Sequence, residues 1–347
     1  MNMRKYLLPQ EGTFYKANLH AHTCLSDGKM TPEQVKEAYV RRGYQIVAFT
    51  DHDVLIPHDD LRDEHFLPLN GCEIEVNRPG PDIWPIMTTM HMNCIAIEPD
   101  NHYQVCYHRS KYLYANAVNQ RGILKVDESK PDFIREYSHE GVSAMMKEAR
   151  DSGFFVIYNH PGGSREYYPE YIGYHGMHAM EIANGATIRN GSHGYCPYVY
   201  DDLLRDGKRR ILITAGDDNH GLDDGTRRVD IGWAWTMIKA PALEYRAVTS
   251  ALLAGEYYVS QGPEIHELWY EDGMVHIKCS PTDRIRLIVG NRRANRMAIA
   301  ENGELLTEAA LKVHPEVDYF RISVIDERGF CADTNAYFLD ELLAEQD

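Results

Sequence analysis

Asn18-Leu19-His20-Ala21-His22-Thr23-Cys24-Leu25-Ser26-Asp27-Gly28 and, further on, Ile46-Val47-Ala48-Phe49-Thr50-Asp51-His52-Asp53 frame the stretch that decides the fold. His20 and His22 stand one residue apart, just after the short segment 14–19. In a strand, residues i and i+2 share a face, so both imidazoles can reach one metal ion. Between the quoted segments, Thr31-Pro32-Glu33-Gln34 is a helix start. Thr31 serves as N-cap, Pro32 fits the first turn and Gln34 closes a capping box. Val35, Ala38 and Tyr39 then form an i, i+3, i+4 stripe, and Gly43 supplies the stop. Residues 46–50 read as an apolar strand ending abruptly in Asp51-His52-Asp53. This is one strand–helix–strand unit, with its polar residues where the strands end.

The same alternation continues along the chain. Residues 67–76 read as a strand around Gly71-Cys72-Glu73, and 90–97 as another carrying His91. A helix pattern of Val142, Met145, Met146 and Ala149 starts at Ser138 and stops at Gly153. The strand 154–158 ends in Asn159-His160-Pro161-Gly162-Gly163, and the strand 179–183 ends in Asn184-Gly185. Residues 198–206 suit a helix, and 211–215 lead into Gly216-Asp217-Asp218-Asn219-His220. The pattern predicts an α/β architecture with a mainly parallel sheet. Polar strand ends meet at one edge both in a closed barrel and in an open doubly wound sheet, and periodicity does not choose between them.

Residues 99–137 interrupt the alternation and carry Tyr103, Tyr107, Tyr112 and Tyr114. So long a stretch predicts an elaborated, partly helical insert, either a solvated cover or a lid that touches substrate. Beyond 263 the character changes again. Residues 268–278 form a hairpin around Glu271-Asp272-Gly273, and 285–289 and 319–325 read as strands with no long helix between. A first domain over 1–262 is therefore expected, followed by a small all-β, sandwich-like domain over 263–347.

Of the 347 residues, 44% are hydrophobic and 25% charged, an ordinary globular composition. A net charge of −16 argues against a broad basic surface and so against nucleic acid as a partner. A small anionic substrate stays open, because bound metal ions would supply local positive charge. The seven cysteines are scattered without a C-x-x-C pair, so neither a disulfide framework nor a zinc ribbon is expected. The apolar run near the start is too short for a signal peptide, and no later segment is long enough to span a membrane. The expected location is the cytoplasm.

His20, His22, Asp27, His52, Glu73, His91, His160, Asp218 and His220 each lie in or beside a turn at a strand end, or just after one. A lone histidine is more often a core or surface residue than a ligand. Successive units delivering such residues to one edge predict a metal centre. Imidazole and carboxylate without thiolate suit Zn, Mn or Fe. The set exceeds what one tetrahedral ion needs and can hold two or three divalent ions, with Glu73 able to bridge two of them. Asp217 could orient a ligand histidine or simply make a turn, and Glu181 at its strand end could support a ligand. Arg165, Arg189, Arg227 and Arg228 follow these loops and are candidates to grip a phosphate. Gly162-Gly163 could turn backbone N–H groups towards an anion or merely form a turn.

His20-Ala21-His22, Asp27-Gly28, Thr50-Asp51-His52, Gly71-Cys72-Glu73, His91, Asn159-His160-Pro161 and Asp218-Asn219-His220 together resemble, in order, the motifs of the PHP (polymerase and histidinol phosphatase) family. The resemblance spans roughly residues 14–262. It implies a distorted (β/α)7 barrel with two or three metals. His20, His22, Glu73 and Asp218 would hold the first, Glu73, His91 and His160 the second, and Asp27, His52 and His220 the third. Catalytic roles would fall to Glu73, Asp218 and His220. Glu181 with Asn184-Gly185, the run 254–263 and Thr334-Asn335 are similar to the carbaryl-hydrolase-like branch of that family, whereas the insert 99–137 matches nothing in it. The implied activity is that of a metal-dependent hydrolase. The leading expectation is a phosphoesterase using a metal-activated hydroxide on a small phosphorylated substrate. The alternatives are hydrolysis of a carbamate, carboxyl ester or amide by the same centre, and a non-catalytic metal-binding scaffold. The complete ligand set counts against the last.

Overall fold

The computed structural model describes residues 4–80, 87–223, 229–290 and 295–344; Arg227 and Arg228 lie outside the described residues. Strand β1 (Lys5–Tyr6) precedes β2 (Thr13–Ala21), helix α1 (Pro32–Val40), β3 (Ile46–Phe49), β4 (Leu67–Asn77) and β5 (Thr89–Ala96). Next come α2 (His139–Asp151), β6 (Phe154–Tyr158), the short turns α3 (Pro161–Ser164) and α4 (Tyr168–Tyr171), and β7 (Ala179–Asn184). They are followed by α5 (Gly185–Arg189), α6 (Pro197–Arg205), β8 (Leu212–Gly216), β9 (Trp235–Ala240), α7 (Tyr245–Ala254) and β10 (Tyr257–Ser260). The remaining strands are β11 (Ile265–Glu271), β12 (Met274–Thr282), β13 (Arg284–Val289), β14 (Arg296–Ile299), β15 (Leu306–Lys312), β16 (Tyr319–Ile325), β17 (Cys331–Thr334) and β18 (Tyr337–Phe338), before α8 (Leu339–Ala344).

Helix α1 forms as its sequence dictates. Gln34 N donates to Thr31 Oγ1 (3.3 Å) and Thr31 N donates to Gln34 Oε1 (2.9 Å), the reciprocal capping box. Its stripe of Val35, Ala38 and Tyr39 packs on Val47 and Phe49 of β3. The strands pair in the order β9-β2-β3-β4-β5-β6-β7-β8. The β2/β3, β3/β4, β6/β7 and β7/β8 pairs are parallel, but β5 runs against both its neighbours and β9 runs against β2. The expected mainly parallel sheet is thus a mixed one. Only residues 78–88 separate β4 from β5, too few for the helical crossover a parallel pair requires.

The far end of this series returns to its start. Asp218 N donates to His20 O (2.9 Å), His22 N to Asn219 O (3.3 Å), and Ala21 and Asn219 form a parallel bridge. Gly216 permits the approach, since a Cβ there would lie 2.7 Å from the Cβ of His20. Alternate residues Ala17, Leu19, Ile46, Ala48, Leu67, Leu69, Phe155 and Ile157 form one apolar cluster, with Val248 and Leu252 of α7 packed into it. Helices α2 and α6 cover another face with Val142, Met145, Met146, Val199 and Leu203 against Met92, Val156 and Met180. Burying a side chain of this size stabilises by about 1.5–3 kcal/mol, so packing on several faces, not the polar edge, holds the scaffold.

The insert holds a single 3-10 segment at Ala115–Gln120 and is otherwise irregular, less helical than expected. At the C-terminal end, β1, β11, β12 and β15 make a second sheet, while β13, β16 and β17 extend the first through the β10/β17 pair. Leu268, Val275, Ile277, Ile285, Leu287, Phe320 and Ile322 share the cluster between them. The hairpin turns at Asp272 and Gly273 with φ of 51° and 76°, the left-handed pair that a two-residue turn requires. The cysteines are all free, and among the described residues no helix is long and apolar enough to cross a membrane.

Two buried polar groups yield predictions. Arg321 of β16 is 1% exposed and donates to both carboxylate oxygens of Asp201 on α6 (2.9 Å each) and to Asp333 Oδ1 (3.2 Å). Arg321→Met leaves Asp333 buried without its cation, and urea unfolding should show a loss of about 3–5 kcal/mol. Glu166 is buried and accepts hydrogen bonds from Tyr158 (2.7 Å), Tyr174 (2.7 Å) and Tyr137 (3.2 Å). Burial outweighs these bonds and pushes its pKa from the usual 4.5 up to about 7. The folded state then keeps a proton that the unfolded chain loses first, so this contribution is full below 4.5 and fades as pH rises through 7. Measured by urea unfolding between pH 5 and about 8, wild type should lose stability relative to Glu166→Gln as pH rises. A pH-independent difference would refute this account.

Candidate metal centre

The nine residues expected from sequence come together at one edge of the mixed sheet. A register shift between Asn18 and Ala21 breaks the alternation of β2. Ala17 and Leu19 therefore join the inner apolar cluster, Ala21 joins that of α1, and His20 and His22 are freed to face the centre. Asp27 follows on the loop, His52 stands just beyond β3, and Glu73 lies within β4. His91 sits near the start of β5 yet reaches the same edge, because that strand is reversed and pairs His91 with Glu75. His160 follows β6, and Asp218 and His220 follow β8.

Glu73 is the hub. Its Oε1 lies 3.0 Å from His91 Nδ1, 3.1 Å from His160 Nε2 and 3.3 Å from His20 Nε2. Its Oε2 lies 3.3 Å from both His22 Nε2 and His52 Nε2. Asp218 Oδ1 is 3.1 Å from His22 Nε2 and 3.3 Å from His20 Nε2. Asp27 Oδ2 faces His220 Nε2 at 3.4 Å and His52 Nε2 at 3.8 Å. Ligand-bearing atoms gather in four sets: His20, His22, Glu73 and Asp218; His22, Asp27, His52 and His220; His52, Glu73 and His91; and His20, His160 and Glu181. His91 and His160 thus fall in different sets, although both touch the same oxygen of Glu73.

Several supporting residues surround these. Glu181 Oε1 is 3.1 Å from His20 Nδ1, and its Oε2 accepts from the backbone N of His160 (3.1 Å). This contact turns His20 Nε2 inwards. Asn159 Nδ2 donates to Glu73 Oε1 (2.6 Å), and Asn184 Nδ2 donates to Glu181 Oε2 (3.0 Å) and Asp218 Oδ2 (3.2 Å). Asp51 accepts from Thr23 N, Thr23 Oγ1 and Ser26 Oγ, shaping the loop that carries Asp27. Glu75, 3.4 Å from His91 Nε2, escaped sequence reading although it stands two residues from Glu73 on the same strand. Asp217 does not orient a ligand: its carboxylate accepts from the backbone of Gly232, Trp233 and Ala234. Arg165 is exposed at the end of α3, and Arg189 ends α5, half-buried.

The backbone is strained here. His160 (φ 20°) and Asp218 (φ 54°) lie outside the usual region for residues with a side chain, at about 1–3 kcal/mol each. Charge is crowded too. Burial opposes charge on His20, yet Asp218, Glu73 and Glu181 outweigh it and raise its pKa well above the imidazole range. Burial likewise opposes charge on His22, and Asp218 and Glu73 lift it to about 10. At His52 burial wins, and its pKa falls to about 4. Glu73, despite burial, is held well below the carboxylate range by His20, His91 and His52.

The donor set fits divalent cations. His20 Nε2 and His22 Nε2 face each other at 3.1 Å, a spacing at which two imidazoles share one proton at most. Among the described residues His22 Nδ1 and His52 Nδ1 are buried without a hydrogen-bond partner, and Asp27 Oδ1 lies 3.7 Å from the former, beyond hydrogen-bond reach. Cations at these sets allow the imidazoles to stay neutral with lone pairs inward, and they balance the carboxylates.

Fold and donors together define a protein with a candidate multi-ligand metal centre at the strand ends of a mixed α/β sheet. Residues 18–183 match the family model of the PHP domain. No curated protein matches the chain. Among solved structures it is similar to a two-domain protein from Bacteroides vulgatus containing a predicted PHP-like metal-dependent phosphoesterase. That match has 17% identity and a TM-score of 0.44, covering 97% of this chain and 91% of that one. A candidate metal-dependent phosphoesterase from Bifidobacterium adolescentis matches at 18% identity and a TM-score of 0.36, covering 62% of this chain and 89% of that one. An amidohydrolase from Chromobacterium violaceum, with bound sulfate and no metal, matches at 17% identity and a TM-score of 0.35, covering 60% and 88% respectively.

The hub position makes Glu73→Gln the sharpest test of the centre. An amide offers one weak oxygen where the carboxylate offers two. Elemental analysis should show fewer ions per chain and metal affinity down by at least about 10–100-fold. Full occupancy with unchanged circular dichroism would remove Glu73 from the centre.

Proposed function

We propose that this chain is a metal-dependent hydrolase that cleaves a phosphoester of a small molecule. The observation that carries the reading is the convergence of four strands on Glu73, with His20, His22, His52, His91 and His160 all within 3.3 Å of its oxygens. In this reading the β2–β8 series is a distorted (β/α)7 barrel within residues 1–262, and 263–347 form a sandwich-like unit. His20, His22, Glu73 and Asp218 would hold one ion, Glu73, His91 and His160 a second, and Asp27, His52 and His220 a third, with Zn, Mn or Fe suiting the donors. When bound, such ions neutralise phosphoryl oxygens and lower the pKa of a coordinated water towards about 7.

The chain's own residues prepare this chemistry. Glu181 fixes His20 through Nδ1, and Asn159 and Asn184 hold the carboxylates of Glu73 and Asp218 in place. Burial of His20, His22 and Glu73 keeps bulk water from competing for them. Asp27, His220 and Asp218 form the more open side, at 28%, 36% and 14% side-chain exposure, where a substrate would enter. Free thiols throughout agree with a cytoplasmic setting.

Asp27→Ala and His52→Ala test the phosphoester reading, because a charged phosphoryl group depends on the third set more than a neutral ester does. Each should lower turnover of para-nitrophenyl phosphate by more than about 100-fold while the other ions remain. Near-normal activity in both variants would overturn the reading. So would wild-type enzyme that cleaves a nitrophenyl carbamate but no phosphoester.

A further inference from the structure

The insert between β5 and α2 brings one aromatic side chain to the metal centre. The Tyr114 ring lies 5.3 Å from the His52 ring, centroid to centroid, at 47°. Its hydroxyl makes no hydrogen bond among the described residues, and the side chain is only partly covered.

The backbone around Tyr114 is pinned on both sides. On one side, Asn116 N donates to Ser26 O (3.0 Å) and Asn116 Nδ2 to Cys24 O (3.1 Å), tying the insert to the loop that carries Asp27. On the other, Tyr112 stacks beneath the Arg135 guanidinium at 4.1 Å and accepts from Arg135 N (3.0 Å). The Arg135 side chain is itself buried. It pairs with Asp53 Oδ1 at 2.6 Å and donates to Glu75 O at 2.8 Å, gripping the neighbour of His52 and a residue two positions from Glu73. Tyr112 and Ala115 adopt left-handed backbone (φ 74° and 46°), so the chain is bent at both flanks of Tyr114. A tyrosine ordered this firmly, with ring packed and hydroxyl unpaired beside a polar centre, lacks only an acceptor.

We propose that Tyr114 is a substrate-contacting residue, donating its hydroxyl proton to a phosphoryl oxygen on the His52 side of the centre. The inference rests on the phosphoester reading above and extends it to a residue outside the metal ligands. No bond forms or breaks at Tyr114; its part is to hold the charged oxygen by one hydrogen bond while the ring supports His52.

Tyr114→Phe isolates the hydroxyl and keeps the ring. Metal-loaded wild type and variant are titrated with inorganic phosphate by calorimetry, metal content is measured for both, and para-nitrophenyl phosphate supplies KM and kcat. The expected result is unchanged metal content, phosphate affinity down by roughly 10-fold or more, and a matching rise in KM. Equal phosphate affinity in the two proteins overturns the proposal and leaves the phosphoester reading standing. A fall in metal content also overturns it, since Tyr114 would then serve His52 rather than substrate. Failure of wild type itself both to bind phosphate and to cleave the phosphoester overturns the phosphoester reading and this proposal together.

Discussion

A single buried carboxylate governs the arrangement of this molecule. Glu73 is 1% exposed, and an ion taken out of water so completely costs several kcal/mol unless partners surround it. The partners come from four other strands, because no single segment can supply six contacts to one carboxylate. That requirement explains features that are otherwise unrelated. Strand β2 shifts register so that His20 faces inwards, and β5 reverses so that its first residues reach the edge. Gly216 lets β8 approach β2, and His160 and Asp218 accept strained backbone. Each is a local cost that only the shared centre offsets.

The scaffold and the centre are stabilised by different forces. Apolar clusters on several faces of the sheet supply the bulk of the folding free energy. The polar edge adds strain and crowded charge, and it holds its shape through a layer of amides. Asn159 and Asn93 bond each other, Asn93 reaches Leu19 O, and Asn184 links Glu181 to Asp218. Neutral donors suit this position, since they satisfy carboxylate lone pairs without adding charge to a site already dense in imidazole.

How far this was legible from sequence depended on whether a residue's partner was near in the chain. The α1 helix was readable because its cap, stripe and stop lie within thirteen residues, Thr31 to Gly43. His20 and His22 were readable because spacing alone puts them on one face. The direction of β5 was within reach, since the link from Asn77 to Thr89 is too short for a crossover. For Asp217 the choice between orienting a ligand and making a turn stays open in sequence for lack of its partners: Gly232, Trp233 and Ala234 are distant in the chain, and nothing near Asp217 announces them. The insert resisted reading for a related reason. It builds little regular structure, and its order comes from Arg135, whose ring stack, carbonyl contacts and ion pair with Asp53 no periodicity encodes.

The C-terminal strands look in sequence like an appendage, yet their contacts lead back to the centre. Asn335 Oδ1 accepts from Ile213 N in β8, and its Nδ2 donates to Gly255 O and Tyr257 O at the start of β10. Its neighbour Asp333 holds Arg321, which grips Asp201 of α6, and accepts from Tyr195. Asn335 thus sits between two strands and closes hydrogen bonds that neither could make with the other. Ile213 lies five residues before Asp218 on the strand whose end carries both Asp218 and His220. Thr334-Asn335, conspicuous in the sequence only as a resemblance, has a physical task here. Through Asn335 it ties β8, the strand that ends in Asp218 and His220, to the start of β10.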